Sequence, residues 1–311
     1  MANGSFVPVA IAGCVTVDAG HDSDDFLDTA WTFLNKPPRH SGRIKAAANL
    51  LNCLRASGAS STVNIIGHGY QGLILTGTGD TPTSSSPKFV GIANVGDWKS
   101  QKNLKAIGKV PIALARLCAC DSGAGPDGAN LLFHLATTLG APIEAPTGIL
   151  FCDSVTGFFL EPGATWLKVT PGGAAPPAPI YPPQQYVTNP AMDVLVFGSP
   201  SGDFSIPVSD VTAIAITPSN FDPFRPVSFP GDAARHAATF AAFNNPLRLR
   251  AVPAAMVTGT FLIKFKHNGQ DEQRSLRILN DRLLQDVTMA DVHYYYYANV
   301  ADLIQRKSSR E

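Results

Sequence analysis

Two short apolar runs each deliver a reactive side chain beside glycine. VNIIGHG (63–69) closes on His68 and Gly69, and PIALARLCACDSG (111–123) closes on Cys120-Asp121-Ser122-Gly123. An imidazole and a thiol carried by the ends of two buried strands can meet as base and nucleophile, the arrangement that thiol hydrolysis requires. Such chemistry also needs donors for a tetrahedral oxyanion. Gly69 leaves its N–H free of side-chain crowding, so the N–H groups of Gly69 and Cys120 are the candidate donors.

The elements that must position these groups alternate between strand and helix patterns in the first half, which predicts a mostly parallel sheet flanked by helices, an α/β fold. Residues 6–17 (FVPVAIAGCVTV) read as one buried strand. Within them, the stretch FVPVAIAGC ending at Cys14 superficially suggests a lipoprotein signal, but no Lys or Arg precedes it and Pro8 interrupts it. Ser41 is placed to cap a helix with Ile44, Ala47, Leu51 and Leu54 on its buried face, stopped at Gly58. A strand ends at His68. Residues 72–93 read as a hairpin of GLILTG against KFVGIA, a helix follows near 97–107, and the next strand runs over 110–119. Asp127 is placed to cap a further helix that buries Leu131, Leu132, Leu135 and Leu139 and ends at Gly140. The positive end of that helix would favour a thiolate at Cys120.

Residues 171–190 (PGGAAPPAPIYPPQQYVTNP) are too rich in proline and glycine for regular structure and read as a linker. The division is therefore 1–170 for the domain carrying His68 and Cys120, 171–190 for the linker, and 191–311 for an α+β accessory region. In that region strands are expected at 192–198, 210–216 and 257–267, with helices near 231–243 and 271–284.

A strand ending in His-Gly, a hairpin and helix, then a strand ending in Ala-Cys-x-x-Gly resembles the caspase-like cysteine peptidases: caspases, metacaspases, gingipain, clostripain and the CHAT domains. The resemblance covers roughly residues 6–160 in architecture, and its specific motifs are the two short ones. It implies a caspase-like fold and peptide-bond hydrolysis through an acyl-enzyme without a cofactor. His68 would be the base, Cys120 the nucleophile, and Gly69 and Cys120 the oxyanion donors. Metacaspases and clostripain, which cut after Lys or Arg, carry an aspartate two residues before the nucleophile, where this chain has Cys118. Cleavage after a basic residue is not supported by that position. Glu144 or Asp153 are then the acids that could line the substrate pocket, beside Cys118.

Other chemistry-bearing residues have simpler readings. Cys118-Ala119-Cys120 is too closely spaced for zinc, and no second Cys/His cluster follows, so no metal site is expected. HDSDDFLD (21–28) lacks the glycine and terminal glutamate of a calcium loop and reads as an acidic helix start. His134 shares a helix face with Asn130, Thr137 and Thr138 and reads as solvated. GSPSG (198–202) has Pro200 where a serine nucleophile would stand, which discards a serine hydrolase. Tyr294–Tyr297 read as buried strand residues, with partner recognition as the alternative. Cys14, Cys53 and Cys152 read as structural.

With 311 residues, 45% of them hydrophobic, the chain can bury a substantial core. Its formal net charge of zero and the absence of a basic cluster argue against nucleic acid and anionic lipid as partners. No apolar run reaches the roughly 18 residues of a membrane span. Five cysteines form an odd, sparse set, which fits a reducing compartment and a cytoplasmic location. The expected partner is a protein or peptide substrate, with a regulatory protein as a further one. The competing function is that of a catalytically inactive, caspase-like protein-binding module.

Overall fold

Val15, Val17, Val63, Ile65, Ile66 and Leu117 are β-branched or apolar residues in short continuous runs, the composition of strands covered on both faces. The computed structural model describes residues 5–20, 25–57, 61–77, 88–92, 94–95, 106, 109–183, 194–199, 201–218, 227–230, 243, 246–286, 292–298 and 300. Its contacts divide the chain into one unit of Ala2–Pro183 with Val252–Met256, and a second of Gln184–Ala251 with Val257–Glu311.

The first unit contains, in chain order, β1 (Val7–Val9), β2 (Cys14–Asp18), α1 (Asp25–Phe33), β3 (Arg39–His40), α2 (Arg43–Ser57), β4 (Ser61–Ile66), β5 (Gly69–Tyr70), β6 (Leu73–Leu75) and β7 (Phe89–Gly91). It continues with β8 (Ile112–Cys118), α3 (Gly125–Leu139), β9 (Ile143–Pro146), β10 (Leu150–Asp153), β11 (Gly157–Leu160) and β12 (Trp166–Val169). Six of these strands form one sheet in the order β12-β9-β8-β4-β2-β3, with β12 antiparallel to β9 and the other pairs parallel. Leu50 and Leu54 of α2 and Leu131, Leu135 and Leu139 of α3 share one core with Val63, Ile65 and Leu117 of the sheet. A disulfide joins Cys14 of β2 to Cys53 of α2, with Cα atoms 5.7 Å apart. Such a bond belongs to an oxidising environment and runs against the reducing compartment read from the sparse cysteines. Among the described residues no helix is long and apolar enough to cross a membrane.

The second unit is built on β13 (Val194–Phe197), β14 (Phe204–Pro207), β15 (Val211–Pro218), β16 (Val227–Pro230) and β17 (Leu247–Leu249). After β17 the chain returns to the first unit as β18 (Val252–Pro253), then re-enters the second as β19 (Val257–His267), β20 (Gln270–Leu279), β21 (Leu283–Asp286) and β22 (His293–Tyr297). Seven strands make an antiparallel sheet in the order β16-β15-β19-β20-β21-β22-β17. In β19, Phe261, Ile263 and Phe265 are buried while Lys264 and Lys266 alternate outward, the pattern of a sheet with one covered face. Tyr294, Tyr295 and Tyr296 are buried within β22.

The expectation of an α/β, caspase-like, mostly parallel sheet with a C-terminal α+β region is overturned. The chain is mostly β, with three α-helices among the described residues and several sheets that are mostly antiparallel. Apart from two isolated bridges, described parallel pairing is confined to the six-stranded sheet.

Local departures have identifiable causes. The run 6–17 is two strands in different sheets, because Gly13 takes a left-handed turn (φ 93°) between them. Residues 271–284, expected as a helix, are β20 and the start of β21. Asn268 and Gly269, both at positive φ, form the two-residue turn that folds β20 back on β19, with His267 opposite Gln270. Ile44 lies on the exposed side of α2, while Arg43 is buried. Gly42, whose carbonyl accepts the Ala46 N–H, heads that helix rather than Ser41. Ala124, not Asp127, is the N-cap of α3, and Gly140 closes it in the left-handed conformation as expected. β6 and β7 pair antiparallel as the hairpin required. Most of 97–107, all but residue 243 of 231–243, and Gly58 lie outside the described residues.

Two outcomes follow for stability. Removing the Cys14–Cys53 bridge, which closes 39 residues of chain, by Cys53→Ala should lower the unfolding free energy by up to about 4 kcal/mol, read from urea denaturation. His40 is buried with Nδ1 2.9 Å from Thr16 Oγ1, and burial takes its imidazole from 6.5 down to about 3. The folded chain therefore holds His40 neutral while the unfolded chain protonates it below 6.5. Its contribution is intact above that pH and declines as pH falls from 6.5 towards 3, by at most about 1.4 kcal/mol per pH unit. His40→Gln should flatten the acid limb of a stability-versus-pH curve.

Candidate functional site

β4 and β8 are adjacent and parallel, with Ile66 opposite Cys118, so the chain leaves both strands at the same end of the sheet. His68 follows Ile66 by two residues and Cys120 follows Cys118 by two. Reactive groups in parallel sheets gather at this carboxyl end because the connecting loops are free to vary there. Gly67 N–H donates to Cys118 O (3.4 Å), continuing the ladder past the last paired residues. The half-buried His68 has its ring 5.6 Å from that of Phe26 and its carbonyl bonded to Leu75 N–H.

Cys120 sits in a tight turn fixed on several sides. Asp121 adopts a left-handed backbone (φ 56°), uncommon for a residue with a side chain and held here by its surroundings. Its N–H donates to Gly148 O at 3.0 Å, that of Gly123 to Pro146 O at 2.9 Å, and Ser122 Oγ to Ala119 O at 2.8 Å. The Cys120 side chain is wholly buried. Its sulfur accepts the Leu150 N–H at 3.2 Å and faces Leu150 O at 3.5 Å. α3 begins five residues further on, at Gly125.

Gly69 comes against this turn. A Cβ there would lie 2.6 Å from Ala119 Cβ and 2.7 Å from Cys120 O, so only glycine permits the approach. The consequence is electrostatic. Gly69 N–H and Cys120 N–H both donate to a single carbonyl oxygen, that of Ala254, at 2.9 and 3.2 Å. Two backbone dipoles from different strand ends thus converge on one peptide oxygen.

The remaining sequence candidates are placed as follows. Cys118 is buried, its sulfur 4.0 Å from Asn64 Oδ1, and burial pushes its thiol up to about 12, against the opposing pull of the Arg116 guanidinium. Glu144 is paired with Arg116 at 2.6 Å within the sheet. Asp153 Oδ1 accepts the N–H groups of Val155 and Thr156, both at 2.8 Å, and so holds the turn between β10 and β11. Cys152 is a buried thiol also raised to about 12 by burial, with the Asp153 charge adding to the effect. His134 is half-buried on α3, beside Phe133. Asp25 and Asp28 stand in the first turn of α1, and 21–24 lie outside the described residues. Among the described residues no group of three or more His, Cys, Asp or Glu side chains could hold a metal ion.

Sequence reasoning missed the segment Val252–Met256. It carries no reactive side chain, so composition and motif gave no signal; only strand register reveals it. No protein-family model matches the chain, and no curated protein matches it significantly.

Gly69→Ala should force the two backbones apart and misplace one donor. The unfolding free energy should then fall by about 1–3 kcal/mol, read from urea denaturation.

Proposed function

We propose that the chain is a cysteine peptidase in which Cys120 is the nucleophile and His68 the base and acid. The observation that supports it most is the convergence of Gly69 N–H and Cys120 N–H on one peptide carbonyl oxygen. A peptide oxygen held there gains negative charge as sulfur adds to its carbon, and the two donors stabilise that charge without reorganising. His68, at the end of the adjoining strand, takes the thiol proton and returns it to the leaving amine; water then hydrolyses the thioester. The products are two shorter peptides.

The likeness to caspase-like peptidases rests on the His-Gly and Ala-Cys-x-x-Gly motifs and does not call on a shared overall fold. The thiols of Cys118 and Cys152, both pushed up to about 12 chiefly by burial, are unsuited to attack at neutral pH. A cytoplasmic place of action rests on the sparse cysteine set, and the Cys14–Cys53 bridge weighs against it. The complete burial of Cys120 favours the second reading, a module that binds protein without cutting it.

The two readings separate in one experiment. Cys120→Ala and His68→Ala should each lower hydrolysis of a diverse peptide library by at least about 10³-fold with unchanged circular dichroism, whereas Cys118→Ala should leave it at the wild-type level. Equal hydrolysis by wild type and Cys120→Ala, or none by either with no labelling of Cys120 by thiol-directed peptide electrophiles, establishes the non-catalytic reading.

A further inference from the structure

Val252–Met256 runs through the site as an extended peptide would. Val252 pairs with Cys152, and Pro253 with Phe151, antiparallel on the edge of β10. Pro253 is tolerated because an edge strand can forgo one donor. Ala254 N–H donates to Leu150 O at 2.8 Å, its carbonyl oxygen takes the two donors of Gly69 and Cys120, and Ala255 bridges Gly69 in parallel. Backbone pairing thus continues on both sides of one peptide bond, Ala254–Ala255. All five residues are buried, with Ala254 wholly so. Added strands of this kind draw affinity from main-chain bonds and selectivity from the pockets around their side chains.

We propose that Val252–Met256 is a built-in substrate mimic that occupies the site, excludes other peptides, and defines the preferred substrate as an extended chain with a small residue at the cut, preceded by proline. The inference rests on the peptidase reading of Cys120. The closed surroundings of the Ala254 methyl carry the preference for a small residue, and the doubly bonded Ala254 oxygen identifies the bond presented. Should the bound segment react, sulfur adds to the Ala254 carbon, the C–N bond to Ala255 breaks, and the new amine takes the proton held by His68. Water then releases the thioester as a carboxylate at Ala254.

The test uses the full chain as wild type, Ala254→Trp, and the milder Val252→Gly, which loosens the added strand without crowding. Each is treated with a Val-Pro-Ala acyloxymethyl ketone and its Val-Pro-Trp counterpart. Labelling of Cys120 is followed by mass spectrometry, chain integrity by denaturing electrophoresis, and folding by circular dichroism. The expected result is labelling by the alanine probe at least about tenfold faster in the variants than in the intact wild type, with the tryptophan probe slower throughout. A wild-type chain cut between Ala254 and Ala255 supports the proposal equally. Folded variants labelled at the wild-type rate with the chain intact, or a preference for the tryptophan probe, overturn it while leaving the peptidase reading in place. If Cys120 is labelled in no folded form yet reacts once unfolded, the peptidase reading falls and this inference with it. Should Ala254→Trp fail to fold, Val252→Gly decides alone.

Discussion

The parallel register of β4 on β8 is the constraint from which the candidate site is assembled. With Ile66 opposite Cys118, the loops that follow must emerge side by side, and only then can an N–H from each reach the same oxygen. The register is itself specified by burial. A slip of one residue would turn Val63, Ile65 and Leu117 out of the core they share with α2 and α3. The same helices are anchored independently, α2 through its bridge to β2 and α3 through the left-handed closure at Gly140. Packing energy far from the sulfur therefore fixes where the sulfur's turn begins.

Geometry at the turn is then set by backbone rather than by side chains. Gly69 can approach Ala119 and Cys120 because it has no Cβ, and Gly123 lies equally close to β9, where a Cβ would meet Ala145 O at 2.5 Å. The left-handed Asp121 closes the turn. A site of this kind depends on where the peptide planes point, so its donors need no particular side chain, only the absence of one at Gly69. The acids Glu144 and Asp153 are committed to local bonds, one to Arg116 and the other to its own turn.

What the sequence disclosed tracks how local each signal is. His68, Gly69 and Cys120 were legible because each ends an apolar run beside a turn residue, and α2 and α3 because their apolar positions recur at helical spacing. The antiparallel half was misread where charged residues that favour helices, as in QDEQRSLR (270–277), outweighed a stronger local cue. Asn268-Gly269 between two alternating runs is a hairpin signal, and Leu276 and Ile278 keep the period of two that a strand needs. Gly13 divided an apolar run that composition alone presents as one strand. Reading a helix into 271–284 made the second half α+β, whereas those residues are strand. The five residues that reach the site from beyond residue 250 were illegible for a different reason. Their role is carried by amide and carbonyl groups that every residue possesses, and pairing across such a sequence separation leaves no periodic trace.

Because β18 is continuous with the chain on both sides, its seating at the site is a unimolecular equilibrium. Its position depends on strand pairing and on the stiffness of the connections to β17 and β19, not on how much protein is present. Diluting the protein cannot dislodge it, and neither can washing or gel filtration. A strained connection or a severed backbone alters the balance, so each molecule carries its own setting irrespective of its neighbours.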